Sequence, residues 1–303
     1  MNTHHDIMLQ LIKLFCYVSD LYHSTLKMEV QRFSPNALPK FSDEEAITTY
    51  LWGMKQGHLS MKAIHAYINN HYRDCFPKLP CYQEYVRRIN LLSPAFLALT
   101  GILSEKGRSL DIIPDESVLD SFPIVLASGK RKKQAKVARQ YCGEGYCSSK
   151  DMHYYGVKLH VIGFRRLGTL PMPEYLLVTN AAVHDLTALR NVIERIPNRT
   201  FYADKAYADG ALCSALAGNS SELITPIKQR KGQSDWERCF DSSANALYST
   251  AVSRIRQPIE SFFYWLEQKV DLQHASHVRS SLGLCAFIFA RLAFSLLLLL
   301  RLC

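Results

Sequence analysis

Apolar positions along the chain follow two different periods, and the change between them divides it. From Ser42 the pattern is helical, with Ile47, Tyr50, Leu51 and Met54 recurring three and four residues apart. Ser42-Asp43-Glu44-Glu45 opens that run as a capping box, a hydroxyl at the N-cap and a carboxylate three residues on. A second helix is predicted from about Ser60, with Ile64, Tyr67 and Ile68 on one face. A third follows the break Phe76-Pro77-Lys78-Leu79-Pro80, its stripe formed by Tyr85, Ile89 and Leu92. Short helices with tight connections fit a helix-turn-helix module or a plain helical bundle equally well.

Past Gly107 the period shortens to two. Asp115–Phe122 reads as a short strand around Val118. Tyr155, Val157, Leu159 and Val161 alternate with Gly156, Lys158 and His160, which makes Tyr154–Phe164 the clearest strand of the chain. Tyr175–Thr179 follows the Gly168–Pro173 turn region and is expected to pair with it in an antiparallel hairpin. Next come a helix over Asp185–Ile193, a buried strand Thr200–Ala203 stopping at Asp204, a helix around Asp209–Leu216, and a strand Leu223–Thr225. From about Ser249 the pattern is helical again. Pro258 fits the first position of a helix whose stripe is Ile259, Phe262, Phe263 and Leu266, which puts Glu260 in the first turn. Three strands and then crossovers through helices predict an α/β sheet covered by helices, with a helical portion before it.

One segment imitates a membrane span. Leu284–Leu300 is nearly all apolar, but it is 17 residues long with Arg291 near its middle. A span needs about 20 apolar residues, and a central arginine is costly in hydrocarbon, so a buried or partner-covered helix is expected. The start of the chain does not read as a signal peptide, because Asp6, Lys13 and Asp20 interrupt its apolar positions.

Composition narrows the picture modestly. With 303 residues, 48% hydrophobic and 21% charged, the chain is ordinarily globular, which excludes wholesale disorder and low-complexity readings. Nine scattered cysteines fit reduced thiols in a cytoplasmic protein better than a disulfide framework. Charge says more. The formal net charge is +9, and between Ile124 and Arg166 ten basic residues face only Glu144 and Asp151. Lys130, Arg131, Lys132, Lys133, Lys136 and Arg139 lead that stretch. A run of this kind is ordinarily a solvated loop, but concentrating nearly the whole net charge in one insert points to a phosphate-backbone surface.

Three carboxylates stand where elements end. Asp120 lies in Val118-Leu-Asp-Ser-Phe-Pro123, Asp204 closes Phe201-Tyr-Ala-Asp204, and Glu260 lies in Arg256-Gln-Pro-Ile-Glu-Ser-Phe-Phe263. Taken singly, each is a cap or a salt bridge. Converging in one site they would repel unless cations neutralised them, and hard oxygen donors suit Mg²⁺ or Mn²⁺. Arg256 would lie near the Glu260 carboxylate or hold a phosphate.

These blocks resemble a family. Asp120-Ser-Phe-Pro-Ile, Tyr202-Ala-Asp-Lys-Ala-Tyr207 and Arg256-Gln-Pro-Ile-Glu-Ser-Phe-Phe263 are similar, in order and spacing, to the signature blocks of DDE-type insertion-sequence transposases. Gly156-Val-Lys-Leu-His160 and Asn180-Ala-Ala-Val-His-Asp185 resemble further segments of it. The resemblance implies a ribonuclease-H-like mixed sheet covered by helices over 109–303, C-terminal helices included. A helical, helix-turn-helix-like DNA-binding domain over 1–108 would precede it. It implies that Asp120, Asp204 and Glu260 are catalytic and hold Mg²⁺ or Mn²⁺, two ions in all. DNA, as element ends and target, is the implied partner, with a homodimer or higher oligomer formed on it and no membrane association. Location would be cytoplasmic, in a bacterium, on the nucleoid when bound. Lys205 and Arg256 join the basic insert as expected DNA contacts. Two positions depart from the pattern: many relatives carry tyrosine and lysine where this chain has Ser253 and Glu267. Those contacts are then expected from Lys228, Arg230, Lys231 or Lys269.

Other features carry weaker readings. His184-Asp185 would orient a phosphate or act as a base, although Asp185 as a helix N-cap is the simpler expectation. Cys142 and Cys147 with His153 invite a zinc reading, while the intervening Gly-Glu-Gly-Tyr is more simply a turn. Tyr141, Tyr146, Tyr154 and Tyr155 interleave with the basic residues and suit either stacking on unpaired bases or packing of the strand. Two alternatives to a transposase stay open: a metal-dependent nuclease on the same scaffold without strand transfer, and a non-catalytic DNA-binding regulator.

Overall fold

The computed structural model describes residues 4–30, 39–227, 232 and 234–302. Lys228, Arg230 and Lys231 lie outside these. The elements in order are α1 (His4–Leu21), continued by a π-helical turn into α2 (Lys27–Glu29), then α3 (Asp43–Lys55), α4 (Met61–His71), α5 (Tyr82–Leu91) and α6 (Ser93–Lys106). Four strands follow: β1 (Ile113–Ser128), β2 (Gly143–Cys147), β3 (Met152–Arg165) and β4 (Met172–Asn180). The chain continues as α7 (Asp185–Ile193), β5 (Thr200–Tyr202), α8 (Gly210–Ala217), β6 (Glu222–Ile224), α9 (Asp235–Val270) and α10 (Ser281–Leu299). Contacts divide it into two compact units, Met1–Lys106 with Leu266–Cys303, and Gly107–Trp265.

The helical unit begins as its pattern predicts. Ser42 caps α3 and the Glu45 carboxylate accepts from the Ser42 backbone N–H at 2.6 Å, closing the capping box. Ile64 and Ile68 of α4, and Tyr85, Ile89 and Leu92 of α5 and its end, are buried. The chain from Leu266 on, which is the end of α9 and all of α10 and was expected with the sheet, groups here instead. α10 is apolar all round and needs cover on every side. It packs chiefly along α6, whose Ala95, Phe96, Leu99 and Leu103 are buried, and also touches α5 and α3.

By length and composition α10 could cross a membrane, yet 72% of its most apolar window is buried in the fold. Arg291 at its centre is fully used. Its guanidinium donates to the Val270 carbonyl at 2.7 Å, to Tyr50 Oη at 3.1 Å and to the Leu59 carbonyl at 2.5 Å, and lies 3.7 Å from the Phe287 ring centroid. Three acceptors and an aromatic face offset the desolvation of this charge.

The second unit is a mixed six-stranded sheet. β3 is its spine: β1 runs antiparallel along one edge, while β2 and β4 share the other, pairing with Met152–Gly156 and Val157–Phe164. β5 lies parallel to β1 over Glu116–Val118, and β6 lies parallel to β5. The hairpin, the crossover strands and α7 stand where the alternation put them. Three elements differ. β1 runs on to Ser128, past the expected end at Phe122; β5 covers β1 only at Glu116–Val118, so Pro123 falls where that edge has no ladder to break. Gly-Glu-Gly-Tyr is strand β2, not a turn, because five residues of backbone pairing along β3 outweigh two glycines. Pro258 lies inside the 36-residue α9 and not at its start; Val252 before it and Ile259 and Phe262 after it are all buried, which holds the helix through the missing N–H.

Strand pairing decides the faces. Residues directly opposite on paired strands point the same way, and neighbours along a strand alternate. Leu119 and Ile162 therefore look toward α7 and α8, where they meet Leu189, Ile193, Leu212 and Leu216. Phe122 looks the other way and stacks on Phe263 of α9, ring centroids 5.2 Å apart. Gly156 lets β3 approach β1 closely: a Cβ there would lie 2.0 Å from the Ile124 carbonyl oxygen.

Candidate active site

Asp120 sits opposite Val161 on the α9 side of the sheet, its side chain 22% exposed. Arg256 of α9 reaches it: the guanidinium donates to Asp120 Oδ2 at 3.0 Å and stands 3.6 Å from Glu260 Oε1, one helical turn away. Arg256 is itself buried, and its Nε has no hydrogen-bond partner among the described residues. Glu260 is 62% exposed. Arg256 is 136 residues from Asp120 in the sequence, and its one cation stands between the two carboxylates.

Asp204 follows β5 and caps the short turn Lys205–Tyr207, accepting from the Lys205 N–H at 2.6 Å. Its charge acts on Asp120, as does that of Asp185. Burial pushes the Asp120 carboxyl up to about 6; Arg256 and the Ser121 N–H, at 2.8 Å, pull it down, and the two neighbouring aspartates raise it further. Tyr207 is buried beside the same charges. Its phenol is pushed well above the ordinary range by burial and by Asp185, Asp120 and Asp204, and its Oη has no partner among the described residues.

Asp185 does not cap α7. His184 is the N-cap residue, and Asp185, one position inside, turns back to the sheet. It accepts from Lys158 Nζ at 2.8 Å and lies 3.7 Å from His160 Nδ1. The pull of that ammonium outweighs a cap bond to the helix's own amides. His160 is fully buried, with Nε2 2.8 Å from Thr179 Oγ1. Burial, against the pull of Asp185 and with Lys158 adding to it, holds its pKa down to about 4, so the ring is neutral at pH 7. A histidine and a lysine alternating with apolar residues in a buried strand were the available sign of this network. Tyr207 had none.

The basic residues fall into two groups. Lys130, Arg131 and Lys133 are exposed on the turn Gly129–Gln134, with Lys136, Arg139 and Lys205 exposed beyond it. Lys132 is half-buried and pairs with Glu144 at 3.4 Å. Lys158 and Arg165, counted with the insert by charge, are committed internally, to Asp185 and Glu116.

The donor chemistry fits a hard divalent cation: carboxylate oxygens, with negative charge from Asp204 and Asp185 bearing on a desolvated Asp120. The cage is not preformed. Among the described residues no group of three or more His, Cys, Asp or Glu side chains is placed to hold a metal ion, and the nearest cation to Asp120 is the Arg256 guanidinium.

Asp120 within β1, Asp204 just past β5 and Glu260 within α9, with an exposed basic turn at Gly129–Gln134, are the chemical features of this unit. Residues 113–280, more than half of the chain, match the transposase DDE domain family model, and the chain belongs to that family. No curated protein and no solved structure matches it.

Proposed function

We propose that this transposase cuts DNA at the ends of its own insertion sequence and joins the freed 3′ ends to target DNA, with Asp120, Asp204 and Glu260 as its catalytic carboxylates. The observation that carries the assignment is the Arg256 bridge. Residues from β1 and α9 that match separate signature blocks meet around one guanidinium, with the charge of Asp204 bearing on the same point. The meander of β1, β3 and β4, followed by parallel β5 and β6, supports a ribonuclease-H-like reading of the sheet.

On this reading Asp120 in mid-β1, Asp204 just past β5 and the more exposed Glu260 on α9 would hold Mg²⁺ or Mn²⁺, two ions in all. Such ions supply neutralisation of the phosphodiester charge and activation of the attacking oxygen. The chain's own residues do the rest. Arg256 gives up Asp120 and turns to a phosphate oxygen, keeping its charge paired throughout. Lys158 and the neutral His160 hold Asp185 in place behind the carboxylates. Lys130, Arg131, Lys132, Lys133, Lys136, Arg139 and Lys205 neutralise backbone phosphates, which fixes the strand without reading its bases. The helices within 1–108 bind the element ends, and because two ends are held together the protein acts as a homodimer or larger assembly on DNA, in the cytoplasm.

The test uses two substrates, uncut element-end duplexes to read cutting and pre-cut ends with a supercoiled target plasmid to read joining. Wild-type protein with Mg²⁺ joins the ends to the plasmid; Asp120→Asn, Asp204→Asn and Glu260→Gln each bind the ends and neither cut nor join. Cutting at the wild-type rate by any of the three removes that residue from the catalytic set. Cutting without joining identifies a nuclease, and binding with no cutting by wild type identifies a regulator.

A further inference from the structure

In the helical unit α3 and α4 are locked together at one point. Gly53 of α3 lies against Ile64 of α4, where a Cβ would come within 2.5 Å of Ile64 Cγ2. Between the caps Gln56 and Ser60 the turn is three residues, Gly57, His58 and Leu59. Gly57 takes a φ of +85° there, which few other residues tolerate. The His58 N–H closes the turn on the Gly53 carbonyl at 3.0 Å, and Arg291 holds the Leu59 carbonyl. Ser60 caps α4, its hydroxyl accepting from the Ala63 N–H at 3.1 Å. Two helices fixed by a close glycine contact and a short glycine turn have the form of a helix-turn-helix.

Ile64 and Ile68 bury one side of α4, so Lys62, Ala66 and Asn69 share the opposite, exposed side. α4 contains no acidic residue. The acids that open α3 are met within the unit: Asp43 accepts from Arg88 and the Tyr22 hydroxyl, Glu44 pairs with His23 at 3.2 Å, and Glu45 closes the capping box. α5 is the poorer surface for a polyanion, since its Arg87 stands 3.4 Å from Glu84 and its Arg88 is committed to Asp43. On α4 itself His65 is engaged by the Pro80 carbonyl at 2.9 Å. Asn69 reaches its neighbour Asn70 at 3.4 Å, a long bond that a base edge readily replaces.

In the major groove an ammonium matches guanine, a methyl group matches the thymine methyl and a carboxamide matches adenine. We propose that α4 is a recognition helix that enters the major groove of duplex DNA with Lys62 on a guanine, Ala66 on a thymine methyl and Asn69 on an adenine. Lys62 and Asn69 are seven residues apart, about 10 Å along a helix, which sets guanine and adenine about three base pairs apart. The proposal rests on the reading of 1–108 as the part that binds the element ends, and it adds the base content those ends must carry.

Selection from a library of randomised duplexes by the full-length protein in EDTA, followed by sequencing of the bound fraction, tests it. Wild type should enrich one sequence with a guanine and an adenine about three base pairs apart. Asn69→Ala should bind that sequence about 5- to 150-fold more weakly and lose the preference at the adenine while keeping the guanine. Lys62→Ala should do the converse, and Arg87→Ala on α5 should select the wild-type sequence. Both α4 variants should hold a scrambled duplex within about twofold of wild type, which separates base reading from a folding defect. A wild-type consensus that neither α4 variant alters, or equal weakening on every duplex as a lost phosphate contact gives, would overturn the recognition helix and leave the DNA reading standing. Wild-type protein that retains no duplex at all would sink both.

Discussion

Neutralising Asp120 should make the protein more stable while disabling it. The carboxyl is raised from 3.8 to about 6, chiefly by burial and with Asp204 and Asp185 adding to the cost, even after Arg256 has contributed its share. Two units correspond to about 3 kcal/mol between the protonated and ionised forms. The folded pKa lies above the unfolded one, so between about pH 4 and pH 6 the folded chain holds a proton that the unfolded chain has released. Stability from this group is therefore complete below pH 4, is lost as pH rises through 6, and stays lost above 7. Asp120→Asn keeps the shape and an acceptor for Arg256 and removes the ionisation. At pH 8, in EDTA, the variant should be more stable than wild type by up to about 3 kcal/mol, and the gap should close by pH 4. Urea titrations of the full chain, read by pulsed hydrogen exchange of the β1 and β3 amides, report this unit alone. Millimolar Mg²⁺ should narrow the gap at pH 8 by stabilising wild type. A variant less stable than wild type at pH 8, or one that keeps the wild-type slope between pH 4 and 6, would refute the charge balance described for the site.

Two further outcomes follow from the same geometry. Arg256→Gln removes the cation that competes for Asp120, so Mn²⁺ titrated into the variant and followed by electron paramagnetic resonance should bind more tightly than in wild type; unchanged or weaker binding would show that the guanidinium does not occupy the cation's place. Arg291→Leu fits the apolar helix but strips the Val270 and Leu59 carbonyls and Tyr50 Oη of their donor, and thermal unfolding should register a loss of about 3 kcal/mol or more. A neutral result would mean that water replaces the side chain there.

Local pattern carried the elements a long way. The capping box at Ser42, the alternation from Tyr155 to Val161, the hairpin to Tyr175–Thr179 and the strand that stops before Asp204 are each written in fewer than a dozen consecutive residues, where side-chain period reports directly on the backbone. The same local rules misplaced Pro258 and ended β1 at Phe122, short of Pro123. A proline's cost is read from its neighbours in the chain, whereas its tolerance depends on which strand is absent at β1 and which apolar faces hold α9. Gly143–Cys147 went the same way, since two glycines look like a turn until β3 supplies a partner edge.

Charge was the least legible quantity, because its meaning lies in what stands opposite. Counting placed Lys158 and Arg165 with the basic insert; the fold sets them against Asp185 and Glu116, leaving Lys130, Arg131, Lys133, Lys136 and Arg139 exposed. Asp185 was legible as a helix start but not as the partner of Lys158, and Tyr207 carried no sign at all. By itself the chain of residues determined most of the helices and strands, which faces are apolar, and which three acids to group; that Asp120 lies within β1 and Glu260 within α9, and not at element ends, came from the fold. Only the tertiary structure decided that Arg256 would bridge Asp120 and Glu260 and that α10 would pack along α6. Periodicity acts through neighbours a few residues away, whereas pairing, burial and electrostatics act through neighbours in space.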